Sequence, residues 1–128
     1  MDRYDYMNIA LKLAADAASL GEIPVGCVIV RNGEIIAKAH NETEKRKNAT
    51  LHAEMIAIAR ASEKIKSANL GECELYVTLE PCPMCAGAII NAKIGNANLP
   101  IICNIWYCGK STFPTWSRSI ATIAIIFN

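Results

Sequence analysis

The sequence predicts an α/β fold: a three-layer α/β/α sheet that combines an antiparallel hairpin with parallel crossover strands. Three observations carry this. Apolar residues switch between helical and strand-like spacing in the order α-β-β-α-β-α. Asn32-Gly33 joins two of the strand-like runs, which is the strongest short hairpin signal. A helix-length segment then leads from the hairpin into the next strand, a crossover that places this strand parallel to a neighbour in a layered sheet.

Each element has its own signals. Residues 3–20 read as an amphipathic helix, with Met7, Ala10, Leu11, Ala14 and Ala18 recurring at three- and four-residue spacing. Asp2 suits its start and Gly21 its end. Val25 to Arg31 (VGCVIVR) is rich in β-branched residues and turns through Asn32-Gly33 into EIIAKAH, residues 34–40. Residues 41–50 (NETEKRKNAT) are polar and charged, hence a loop. Helical spacing returns over 51–66, with Met55, Ile58, Ala59 and Ile65 on one side. Gly71 breaks the chain before a third strand, ELYVTLE (74–80). Pro81-Cys82-Pro83 then turns into a helix, MCAGAIINA, with Pro83 at its first turn. Further on, IWYCG (105–109) has strand character, and IATIAIIF (120–127) suits a strand or a short helix.

Composition narrows the class. The chain has 128 residues, of which 52% are hydrophobic, enough for one domain with its own core. That excludes disordered and collagen-like chains. A net charge of +1 gives no global attraction to nucleic acid. No apolar run reaches membrane-spanning length. The first 22 residues carry acids and helical spacing rather than a secretion signal, so a cytoplasmic location is expected. The six cysteines are then thiols or metal ligands rather than bridges. Charge is uneven: no acid follows Glu80, and Lys93, Lys110 and Arg118 are the only charged residues after it.

Two short segments carry chemistry. One is His52-Ala53-Glu54; the other is Pro81-Cys82-Pro83-Met84-Cys85. One imidazole and two thiolates suit Zn²⁺, and three protein ligands leave a tetrahedral position open, as in catalytic sites. Both segments fall at predicted helix starts, where positive potential lowers a thiol's pKa. Residues two apart do not face each other on a helix, so His52 must sit at the helix edge if Glu54 is to reach the same metal. Glu54 then acts on protons rather than as a ligand. Taken singly, a His at a helix start is more commonly a cap or surface group. A lone C-x-x-C is equally a redox pair or two buried thiols. The combination, with a Glu two residues after the His and a Pro before the first Cys, favours the metal. Cys27, Cys73, Cys103 and Cys108 read as plain buried thiols.

H-x-E…P-C-x-x-C is the zinc deaminase signature. On these residues the sequence resembles the cytidine deaminase superfamily, and residues 4 to about 94 are similar to the bacterial tRNA-specific adenosine deaminases within it. The similarity runs through GEIPVGCVIV (21–30), Asn41, NATLHAEMIAI (48–58) and ELYVTLEPCPMCAGAII (74–90). It implies a cytidine-deaminase-like fold, one deaminase-like domain over 1–128, and hydrolytic deamination of adenosine to inosine at the wobble position of tRNA. It implies Zn²⁺ on His52, Cys82 and Cys85, with Glu54 as proton shuttle. Asn41 would hydrogen-bond the nucleoside, Val25 and Leu79 would wall the base, and the backbone N–H groups of Ala53 and Cys82 would contact the base or the attacking oxygen. The partners implied are a tRNA anticodon loop and a second copy of the chain, with no membrane. Without the resemblance, Asn41 is a turn residue and Val25 and Leu79 are strand packing. Arg31, Lys45, Arg46 and Lys47 are candidate phosphate contacts, or a solvated charged surface.

The family pattern fades after residue 94, and 95–128 reads as a divergent tail or as the product of a shifted reading frame. Two other functions stand beside the tRNA reading. One is a guanine or other free-base or nucleoside deaminase. The other is an inactive, zinc-stabilised domain of the same fold.

Overall fold

Seven elements follow one another in the computed structural model, which describes residues 1–95 and the backbone of the strand Ile101–Cys103. They are α1 (Arg3–Ser19), β1 (Gly26–Arg31), β2 (Glu34–His40), α2 (Ala53–Ile65), β3 (Cys73–Val77), α3 (Pro83–Asn91) and β4 (Ile101–Cys103). The stretches expected as elements at 105–109 and 120–127, and Cys108, lie outside the described residues.

The α1 helix is well terminated at both ends. Asp2 accepts from the Asp5 N–H at 3.0 Å and Asp5 returns the bond to the Asp2 N–H at 2.8 Å, a reciprocal capping box. At the other end Gly21 takes φ +79°, and the N–H groups of Gly21 and Glu22 bond back to the carbonyls of Ala18 and Ala17. This is a Schellman motif, in which only glycine takes the left-handed position without strain. The Asn32-Gly33 turn has φ +50° and +77°, the pair of positive values that a two-residue type I′ hairpin needs.

The sheet order is β2-β1-β3-β4. β1 pairs antiparallel with both β2 and β3, and β3 pairs parallel with β4. The parallel neighbour expected for the third strand is therefore β4, reached across α3. The α2 crossover does join strands that run the same way, but β1 lies between them. β1 takes the central place because both of its faces are apolar: Cys27 and Ile29 point to one side of the sheet, and Val28 and Val30 to the other. Full burial of each such side chain stabilises the fold by about 1.5–3 kcal/mol. β2, with Glu34 and Lys38 exposed, forms the edge.

These two faces make three layers. On one, Tyr6 and Ala10 of α1 pack against Val28, Val30 and Tyr76. On the other, Ala53, Ile56, Ala57 and Ala61 of α2, together with Ile89 of α3, pack against Cys27, Ile29, Leu75 and Val77. α1 sits so close that a Cβ on Gly26 would lie 1.9 Å from the Ala10 carbonyl oxygen. The close approach turns Tyr6, Ala10, Ala14 and Ala17 inward and leaves Ala18, expected inside, at the surface. In α2, Ala59 is likewise exposed and Met55 and Ile58 are half-buried. Apolar residues surround the first two turns of α2, so spacing alone does not select its buried face. β3 ends at Val77, three residues early, because its partner β1 begins at Gly26.

Candidate metal and catalytic site

The topology gathers the candidate residues at one end of the sheet. β1 starts there at Gly26, while the antiparallel β2 and β3 finish there at His40 and Val77. Both α2 and α3 start from the same end, so their N-termini converge. His52 and Cys82 are their N-cap residues, each with extended backbone and neither with a side-chain capping bond. The structure thus places His52 at the helix edge, as its pairing with Glu54 requires.

His52 Nδ1 lies 3.5 Å from Cys82 Sγ and 3.5 Å from Cys85 Sγ. All three ligand atoms lie within 4.8 Å of one another, and this is the metal-capable cluster among the described residues. Zn–S and Zn–N bonds at tetrahedral angles separate N from S by about 3.5 Å, so the donor set fits zinc in both chemistry and spacing. Glu54, at the second position of α2, is 4% exposed. Its Oε1 is buried with no hydrogen-bond partner among the described residues. An orphaned carboxylate oxygen beside a three-ligand cluster suits a group that receives a proton from a bound reactant.

Burial pushes the Glu54 carboxyl above the usual carboxylate range, opposed by hydrogen bonds from its own backbone N–H and from Cys85, and by His52. Burial, reinforced by the nearby Glu54 carboxylate, also drives the Cys85 thiol well above its ordinary value. This reverses the lowering expected from the helix N-terminus: without a cation, desolvation and a like charge outweigh the dipole. A bound cation inverts that balance, since a coordinating thiol is deprotonated outright.

Asn41, 4% exposed, follows β2 directly. Its Oδ1 accepts from the Ala53 N–H at 2.8 Å. It thereby caps α2 from outside, replacing the cap that His52 does not supply. The Ala53 N–H, expected to meet the base, is therefore already bonded. The Asn41 oxygen being taken, its amide N–H groups are the part left for a ligand. Val25 is buried in the core and Leu79 half-buried against it, at the edge of the same end of the sheet. Of the basic residues, Arg31 pairs with Glu72 at 3.1 Å at the opposite end of β1, and Arg46 pairs with Glu42 at 3.4 Å.

Two buried polar residues had no role from sequence. Thr78 takes the Gly26 N–H on its hydroxyl at 3.1 Å and returns its own N–H to the Gly26 carbonyl, fixing the chain as it leaves β3 toward Cys82. Glu22, 5% exposed, accepts from the N–H groups of Glu44 and Lys45. Burial raises its pKa, but these backbone bonds outweigh burial and hold the carboxyl below its ordinary value. A carboxylate just past a helix C-terminus opposes the helix dipole, and that was the signal available in the sequence.

Residues 1–99 match the family described as the cytidine and deoxycytidylate deaminase zinc-binding region. The chain is 48% identical over 94 residues to a tRNA-specific adenosine deaminase of Aquifex aeolicus, covering 73% of this chain. It spans 62% of that relative's length. Among solved structures, one described with tRNA:A34 deaminases and A-to-I editing superposes with a TM-score of 0.75 at 38% identity, over 80% of this chain and 76% of the other. The guanine deaminase of Bacillus subtilis gives 0.68, also at 38% identity, over 70% of this chain and 58% of its own.

Proposed function

The chain belongs to the cytidine and deoxycytidylate deaminase family, and from that premise we propose that it converts adenosine to inosine at the wobble position of a tRNA anticodon. The observation that carries a hydrolytic role is the buried Glu54 Oε1, without a hydrogen-bond partner among the described residues, beside the His52–Cys82–Cys85 cluster. The adenosine substrate is supported by the 48% identity to the Aquifex deaminase.

His52, Cys82 and Cys85 hold the metal in this reading. Zinc, when bound, supplies Lewis-acid activation of water near neutral pH. Glu54 takes the proton that the attacking water gives up and delivers it to a ring nitrogen. It carries the second proton to the departing amine, so adenosine and water leave as inosine and ammonia. Burial serves this cycle, because a carboxyl held above the usual carboxylate range both accepts and returns protons. Asn41 donates its amide N–H to the nucleoside, and Val25 and Leu79 flank the base. The target base must be splayed out of the anticodon loop, which suits unpaired RNA. The chain acts as one deaminase-like domain over 1–128, in the cytoplasm and as a homodimer.

A second reading, guanine deamination, is favoured by the Bacillus superposition. One assay separates the two. Purified, zinc-analysed protein is given an arginine tRNA anticodon stem-loop or free guanine. Inosine in the RNA is the expected result; ammonia from guanine with unmodified RNA overturns it.

A further inference from the structure

We propose that Glu22 is a positioning residue that docks the 42–51 loop and so sets the substrate-binding edge of the site; the kinetic part of this proposal rests on the RNA deaminase reading above. Two segments distant in sequence meet here. The Glu22 backbone is fixed by the Schellman motif that ends α1, through its N–H to the Ala17 carbonyl at 3.0 Å. Its carboxylate reaches across to a distant loop: Oε1 accepts from Lys45 N–H at 2.7 Å and Glu44 N–H at 3.1 Å. The Thr43 hydroxyl donates to Oε2 at 3.4 Å.

The loop explains why those donors need a partner. Arg46 N–H bonds back to the Glu42 carbonyl at 3.1 Å and Asn48 N–H to the Thr43 carbonyl at 3.0 Å, so residues 42–48 form a single helical turn. The first N–H groups of such a turn have no partner within it. Glu22 supplies that partner from just past the end of α1, as a cap in trans, and its negative charge suits the positive start of the turn. Lys47, at φ +51°, closes the turn in the left-handed region. The Glu42 N–H bonds the Leu51 carbonyl at 3.1 Å, which closes the loop at its base. The residues flanking that base are Asn41 and His52. The turn therefore starts next to Asn41 and holds Lys45, Arg46 and Lys47 at the surface beside it, with Arg46 paired to Glu42. His52 is anchored separately by α2, so release of the loop acts on binding before it acts on the metal.

The test uses the full chain. Trypsin cuts after Lys45, Arg46 and Lys47, and native-state cleavage reads local opening. Glu22→Ala is expected to speed cleavage at 45–47 by about tenfold, the factor that follows from losing hydrogen bonds to a charged group. Cleavage at Lys12 and Arg60, in α1 and α2, should stay unchanged, as should zinc content. KM for the anticodon stem-loop should rise several-fold with kcat within about twofold. Glu22→Gln, which keeps an acceptor oxygen, should fall between. If Glu22→Ala does not fold, Glu22→Gln carries the same comparison at smaller size. Cleavage at 45–47 equal to wild type, or accelerated equally at Lys12 and Arg60, overturns the proposal, as does a loss confined to kcat. Absence of inosine in the wild type would overturn the substrate reading instead, and leave the proteolysis result to decide the role of Glu22.

Discussion

The start of α1 and the starts of α2 and α3 solve the same problem in opposite ways. Every helix opens with N–H groups that lack partners. α1 satisfies its own with Asp2 and Asp5, four residues of local sequence. α2 and α3 place His52 and Cys82 at that position, and neither side chain caps. Both turn to the shared cluster instead. α2 is then capped by Asn41, twelve residues away. Local capping has been exchanged for a ligand set at two converging helix ends, and for α2 the cap comes from a distant residue. This is the pattern expected where function overrides a local rule.

Five substitutions at four positions test that contrast, from the largest effect to the smallest. Glu54→Gln removes the proposed proton carrier while leaving the three ligand side chains and the cap in place, and deamination rates should fall by about 10²–10⁴-fold or more. Cys85→Ser should weaken zinc retention beyond the 10–100-fold typical of losing an outer partner. Competition with a chelator, read by elemental analysis, measures it; wild-type retention would place the metal elsewhere. Asn41→Ala leaves the buried Ala53 N–H unbonded and should lower stability by about 1–2 kcal/mol in chemical denaturation. Asn41→Asp restores the cap but not the amide donor, so stability should recover while KM stays high. If both return together, the substrate role of Asn41 is wrong. Asp2→Ala should lower stability by about 1 kcal/mol, a few degrees in Tm, and leave kcat/KM unchanged.

Much of this was readable because it rests on residues with few alternative uses. Asn32-Gly33 predicts its own turn, since few other pairs accept positive φ twice. His52, Glu54, Cys82 and Cys85 stand out because that chemistry at that spacing has few structural uses. The inward face of α2 was not readable, because apolar residues surround its first turns. Nor was the bonding of the Ala53 N–H, or the reach of Glu22 to residues 43–45. Those depend on contacts between segments twelve to twenty-three residues apart, which periodicity does not report.

The most direct measurement of the central claim is inosine formation in the arginine tRNA anticodon stem-loop by wild type and Glu54→Gln at equal, measured zinc content. Inosine is expected from the wild type and, from Glu54→Gln, at a rate lower by at least about 10²-fold, with zinc stoichiometry unchanged. Turnover by the zinc-loaded variant at a rate near wild type would contradict it.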